Sequence, residues 1–157
     1  MARIISLFIG LGFVVFGMMF FKGMQSQGMQ VELGLVNNKF KACPEKPNCV
    51  STMESTEDDE HYIAPVEVRA PVYTVKNIIK VIAAKNNMLL KKEGPNYLYY
   101  TYKSKLVGFV DDIEFAIIDQ KVHARSASRV GYSDLGANRN RVAPMLEEIM
   151  ILGQEEK

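Results

Sequence analysis

GFVDDIEFAIIDQKVHARSASRVGYSDLGANRNR, residues Gly108–Arg141, alternates acids and arginines with large apolar residues. Alternation at a period of two marks half-buried strands, and Val107–Ile118 and Lys121–Val130 are the strongest strand candidates in the chain. With Asp119-Gln120 as a two-residue turn, one face of the hairpin pairs Phe109 with Val130, Ile113 with Ser126, Phe115 with Ala124 and Ile117 with Val122. The other face pairs Asp112 with Ala127, Glu114 with Arg125 and Ala116 with His123. A slip of one residue would put arginines beneath the phenylalanine and isoleucine row, so the apolar pattern selects this register. Asp112, Glu114, His123, Arg125 and Arg129 then share a polar face.

Upstream of the hairpin, Met88–Lys92, Gly94-Pro95-Asn96 and Tyr97–Ser104 read as strand, turn and strand. Tyr97, Tyr99, Tyr100 and Tyr102 suit ordinary sheet packing, with the lining of a cleft as the alternative. Before them Val72, Val75, Ile78, Ile79 and Ile82 recur at helical spacing, with Lys76, Asn77, Lys80 and Lys85 opposite. That pattern predicts an amphipathic helix ending near Asn86-Asn87. Tyr62–Val68, interrupted by Pro65, reads as an edge strand. Downstream, Gly131–Gly136 makes an exit turn, and the chain becomes helical from about Leu135, with Val142, Met145, Leu146, Ile149 and Leu152 inward. Pro144 should kink or restart that helix. The expected class is α+β: a largely antiparallel sheet of about five strands packed against two helices, preceded by one N-terminal transmembrane helix.

The transmembrane expectation rests on Ile4–Phe21, 18 uncharged residues between Arg3 and Lys22. As a helix they span about 27 Å, close to the roughly 30 Å hydrocarbon core. A cleaved signal peptide competes, but the run exceeds the usual apolar region of about 7–15 residues and no A-x-A-like site follows it. Residues 1–22 are therefore expected to anchor the chain, 23–41 to form a Gly-, Gln- and Asn-containing tether, and 42–157 to form a globular domain. The flanking charges orient the anchor only weakly. Cys43 and Cys49 help: CPEKPNC, stiffened by Pro44 and Pro47, suits a small disulfide ring, two unrelated thiols being the alternative. A disulfide selects an oxidising side, hence a single pass through the inner (cytoplasmic) membrane, N-in, with the C-terminal domain periplasmic or otherwise extracytoplasmic.

A net charge of +1 on 157 residues gives no bias toward nucleic acid. His61 and His123 are the only histidines and lie at no finger-like spacing from the cysteines. Glu57, Asp58, Asp59 and Glu60 are consecutive and lack the spaced ligands of a calcium loop. No metal and no cofactor is expected.

CPEKPNCVS (Cys43–Ser51), GFVDDIEF (Gly108–Phe115) and RSASRVGYSDLGANRNR (Arg125–Arg141) closely resemble the signatures of an uncharacterised bacterial and plastid family, domain of unknown function 1499. The resemblance implies an envelope or thylakoid-lumen protein behind a signal or anchor, and implies no particular activity. Pro144 departs from the uninterrupted final helix the resemblance would suggest.

Asp111, Asp112, Glu114, Arg125, Arg129, Arg139 and Arg141 fall within the hairpin and the turn after it. Arginines favour the ionised form of neighbouring carboxylates, which suits pairing better than proton transfer. In the binding reading, Gly131 and Gly136 permit a tight turn, Ser133 or Asp134 caps the next helix, and that helix's amides with Arg125, Arg129 or Arg139 hold an anion. Tyr99, Tyr100 and Tyr102 would be its apolar walls, and Ser126, Ser128, Tyr132 and Asn138 complete the candidate set. The favoured function is a non-enzymatic binding module for a small anionic or lipid-like ligand, with docking of an envelope protein partner as the alternative. Hydrolysis is disfavoured, whether by Asp111, Asp112 and Glu114 as acid and base or by Ser126, Ser128 or Ser133 as nucleophile with His123 as base. A general acid needs a raised pKa, and His123 and Ser126 point to opposite faces.

Overall fold

A computed structural model describes residues 2–154, with side chains from residue 12 onward. In chain order it contains α1 (Ala2–Gly28), β1 (Cys49–Ser51), β2 (Val66–Glu67), α2 (Val72–Lys85), β3 (Leu89–Glu93), β4 (Tyr97–Lys103), β5 (Val110–Ile118), β6 (Lys121–Ser128) and α3 (Ala137–Leu152). The α+β class is as expected, but the antiparallel sheet has six strands, ordered β1-β6-β5-β4-β3 with β2 also on β6. The unexpected strand is β1, whose Cys49, Val50 and Ser51 lie opposite Ala127, Ser126 and Arg125. Three residues are too few for alternation to reveal a strand. The first residue of β1, Cys49, is joined to Cys43 by a disulfide.

The central hairpin has the expected register, with Ile113 opposite Ser126, Glu114 opposite Arg125 and Ile117 opposite Val122. Asp119 and Gln120 take φ of 49° and 59°, the left-handed pair that matches strand twist in a two-residue turn. Phe109 and Val130 do not pair, because β5 starts at Val110 and β6 ends at Ser128. Gly108 and Gly131, at φ 74° and 95°, turn the chain out of the ladder just beyond those ends.

Strand parity sorts the core. Leu98, Tyr100, Ile113, Phe115, Ile117, Val122 and Ala124 face α2 and α3, which bury Val75, Ile79, Ile82, Val142, Met145 and Ile149 against them. Each large side chain so buried contributes about 1.5–3 kcal/mol relative to exposure. Val72 and Leu152, expected inward, are exposed, since they are the first residue of α2 and the last of α3, where each apolar stripe runs out. Pro144 lies within α3 without restarting it.

Of residues 23–41, expected as a tether, 23–28 belong to α1 and the rest form a strap that packs across the other face of the sheet through Leu35 and Phe40. Val36 and Lys39 close a small hairpin through Asn37 and Asn38. Leu35 and Phe40 join Tyr97, Tyr99, Ala116 and Ile118 in a second apolar cluster.

The expected anchor begins at residues 4–11, whose side chains lie outside the described residues. Among the described residues no helix is long and apolar enough to cross a membrane. From Gly12 to Lys22, α1 is exposed, including Phe13, Phe16, Phe20 and Phe21. Its last turns dock on the sheet. A Cβ at Gly23 would lie 1.8 Å from the Val107 carbonyl oxygen, so only glycine allows this approach. Buried Ser26 donates to the Gly23 carbonyl at 2.8 Å and accepts from the Val110 N–H at 3.1 Å.

Candidate functional site

The sheet divides the acids and arginines of the hairpin between its two faces. On the strap face, Arg129 grips Asp112 through Nε and Nη2 at 2.8–3.2 Å. Tyr99 donates to the same carboxylate at 2.6 Å. The remaining nitrogen of Arg129, Nη1, donates to the carbonyls of Ser26 at 3.2 Å and Met29 at 2.7 Å. Arg129 thereby caps α1, whose last carbonyls have no partner within the helix. Burial and the bond to Asp112 push the Tyr99 hydroxyl up to about 12.

Beside this pair lies Glu114, 0% exposed. It accepts from Tyr97 at 2.7 Å and from Arg125 Nη1 at 3.4 Å. Burial pushes its carboxyl above the usual range, against the pull of Tyr97, Arg125 and the Gly34 backbone. Arg125 is the least satisfied arginine of the set, with a buried Nε that has no partner. His123, also on this face, meets Thr52 Oγ1 at 3.1 Å, and burial lowers its pKa.

On the helix face, Asp111 accepts from Ser128 at 2.6 Å and pairs with Arg141 at 2.9 Å. Burial raises its pKa, opposed by those two partners. Arg141 also stacks 4.0 Å from the Tyr102 ring centroid. The hub of this face is Asn138, 0% exposed. Its carbonyl oxygen accepts from Ser126 and Arg141, and its amide donates to the Asn48 carbonyl, Ser128 and Asp134. One side chain thus ties α3 to β6 and to the disulfide ring.

Several expected contacts are not formed. The amides at the start of α3 do not await an anion, because Asp134 accepts from Gly136 N–H at 2.9 Å and Asn138 N–H at 2.7 Å. Gly136 occupies the N-cap position, while the Asp134 side chain caps the first turn as expected and Ser133 accepts from Leu135 N–H. Arg139 donates to the carbonyls of Asp59, Glu60 and Tyr62, clamping the acidic connector. Tyr99 is separated from Tyr100 and Tyr102 by strand parity, so the three form no common wall. Tyr132 is exposed.

A different concavity lies at the end of α1. Gln27, Asn87, Leu89, Lys91, Thr101, Lys103, Val110 and Arg129 line a groove of about 260 Å³. Among the described residues no carboxylate lines it. Among the described residues neither Lys91 nor Lys103 makes an ion pair, and Lys103 donates to Gln27 at 2.8 Å.

Residues 39–149, more than half of the chain, match the model of the family described as protein of unknown function (DUF1499). The chain belongs to this family. No curated protein and no solved structure matches it. In this DUF1499 domain the resembling motifs are largely parts of the two networks. The cysteine motif supplies Asn48, GFVDDIEF supplies Asp111, Asp112 and Glu114, and the third motif supplies Arg125, Ser126, Ser128, Arg129, Asp134, Asn138, Arg139 and Arg141. The groove of the DUF1499 domain draws on Gln27, Lys91 and Lys103, distant in sequence and converging only once α1 docks. Nothing in their spacing announces them.

Proposed function

We propose that the chain is a non-enzymatic envelope module, held at the cytoplasmic membrane by α1 with its domain on the extracytoplasmic side, that binds a small anionic or lipid-like ligand in the groove beside α1. The observation that carries this reading is the contrast in cation pairing. Arg129, Arg139 and Arg141 are occupied by carboxylates or carbonyls, whereas Lys91 and Lys103 flank a concavity that no carboxylate among the described residues lines. Two ammonium groups, with Thr101 and Gln27 as hydrogen-bonding partners and Leu89 as an apolar wall, suit a phosphate or carboxylate on an aliphatic body.

The anchor itself is supported by the exposed apolar surface of α1, which this chain leaves uncovered from Phe13 to Phe21, and by the disulfide, which favours an oxidising compartment. A second reading, docking of another envelope protein, is favoured by β3, an edge strand with all five residues exposed.

The test is native mass spectrometry of the full chain released from detergent after incubation with phosphatidylglycerol or phosphatidylcholine. The wild type should retain the anionic lipid in preference to the zwitterionic one, and Lys91→Ala/Lys103→Ala should lose that preference. Equal retention of both lipids by wild type and variant would sink the proposal.

A further inference from the structure

We infer that the end of the sheet from which α1 emerges sits on the bilayer, with Leu106, Tyr132 and Leu135 seated at headgroup level. This rests on α1 being the anchor, and goes beyond the ligand groove by making the domain membrane-apposed instead of freely tethered. The antiparallel β5–β6 pairing brings the start of β5 and the end of β6 to one end of the sheet. Residues 104–109 lead into β5 there, and residues 129–136 leave β6 there. Both loops hold the last turns of α1: Gln27 donates to the Gly108 carbonyl at 3.1 Å, and Arg129 to the Ser26 and Met29 carbonyls.

The tips of these loops carry apolar side chains that the fold leaves in solvent. Leu106 is 79% exposed, Tyr132 69% and Leu135 93%. Leu135 also stands at φ +55°, a conformation unfavourable for a leucine, held by the turn that Asp134 and Gly136 fix around it. Single exposed apolar residues are ordinary on a protein surface. These three lie on the two loops at the end of the sheet where α1 docks, Leu135 standing beside Pro47 and Glu60, and α1 itself exposes apolar residues from Phe13 to Phe21, so the lipid-facing surface takes in both helix and loops. Lys103 and Lys105 precede Leu106 and are exposed, supplying cations at headgroup height, and a tyrosine with an exposed hydroxyl end suits the same layer.

The experiment places one nitroxide at a time on the full chain, at Phe16→Cys, Leu106→Cys, Leu135→Cys or Gln120→Cys, in vesicles of phosphatidylcholine and phosphatidylglycerol. All four positions are exposed or lie in a turn, and the native cysteines are joined to each other. Accessibility to oxygen and to a water-soluble nickel chelate is then compared. The labels at 106 and 135 should show several-fold less nickel access than the label at 120, which lies at the opposite end of the sheet, while the label at 16 reads as lipid-immersed. Labels at 106 and 135 as nickel-accessible as that at 120, with 16 still in lipid, would overturn the apposition and leave the anchor standing. Nickel access at 16 would remove the anchor and the apposition together.

Discussion

Arg129→Ala removes the cation facing Asp112 and, in the same step, the cap on α1. Arg129 and Asp112 are joined by three contacts of 2.8–3.2 Å, and their side chains are 9% and 4% exposed. Breaking a buried pair by deleting one partner costs about 3–5 kcal/mol, because the remaining charge is stranded in a poorly solvating site. The Tyr99 hydroxyl still donates to Asp112 at 2.6 Å and offsets part of that. Losing the bonds to the Ser26 and Met29 carbonyls adds about 1 kcal/mol each. The expected net loss is therefore about 3–5 kcal/mol, or a fall of roughly 10–20 °C in unfolding midpoint for a domain of this size. Chemical unfolding of wild type, Arg129→Ala, Asp112→Asn and Asp112→Asn/Arg129→Ala gives the coupling directly. The paired replacement should cost less than the sum of the single losses by about 1–3 kcal/mol, and the Val110 amide, bonded to Ser26, should exchange faster in Arg129→Ala. A loss under about 1 kcal/mol for Arg129→Ala, with additive behaviour, would refute the assignment of this pair to the scaffold.

Asn138→Ala should destabilise by about 2–4 kcal/mol in the same assay, since it strands the buried Ser126 hydroxyl and cuts the tie to Asn48. Cys43→Ser/Cys49→Ser should cost about 2 kcal/mol, the loop-closure entropy of so short a ring, with far-ultraviolet circular dichroism unchanged. The histidines should oppose each other in pH dependence. Burial lowers His61, but Asp58 and the Lys46 carbonyl, acceptors on its two ring nitrogens, raise it further, so its folded pKa lies above the usual value. Its contribution is complete below about pH 6.5 and is lost as pH rises through the folded value. His123 is lowered by burial, so its contribution is present above about pH 6.5 and lost as pH falls through the folded value. His61→Gln should flatten the first trend, and proton-coupled NMR shifts of the two rings should move in opposite directions from the ordinary imidazole midpoint.

The β5–β6 hairpin was legible because a period of two, sustained from Ile113 to Ile117 and from Val122 to Ser126, admits one register with the apolar residues on one face. The same parity puts Asp111 and Asp112 on different faces of the sheet, so the division of the acids into two sites was already present in the residue spacing. The strap was not legible, since Leu35 and Phe40 are isolated apolar residues whose partners, Tyr97 and Ala116, lie on strands far along the chain. Capping chemistry around GYSDLG was visible, but not that Asp134 itself would take the anion's place on the α3 amides. The basic groove was hidden for a similar reason: Lys91 and Lys103 are brought together by the β3–β4 pairing, and Gln27 by the docking of α1.

The proposed function assigns the arginine network to the scaffold and ligand binding to the groove beside α1. Retention of phosphatidylglycerol by the full chain, compared between wild type and Lys91→Ala/Lys103→Ala at low and high salt, tests it most directly. Retention by the wild type should be salt-sensitive, because screening weakens exposed lysine contacts, and should be lost in the variant with its unfolding midpoint unchanged. Undiminished, salt-insensitive retention by the folded variant would contradict it.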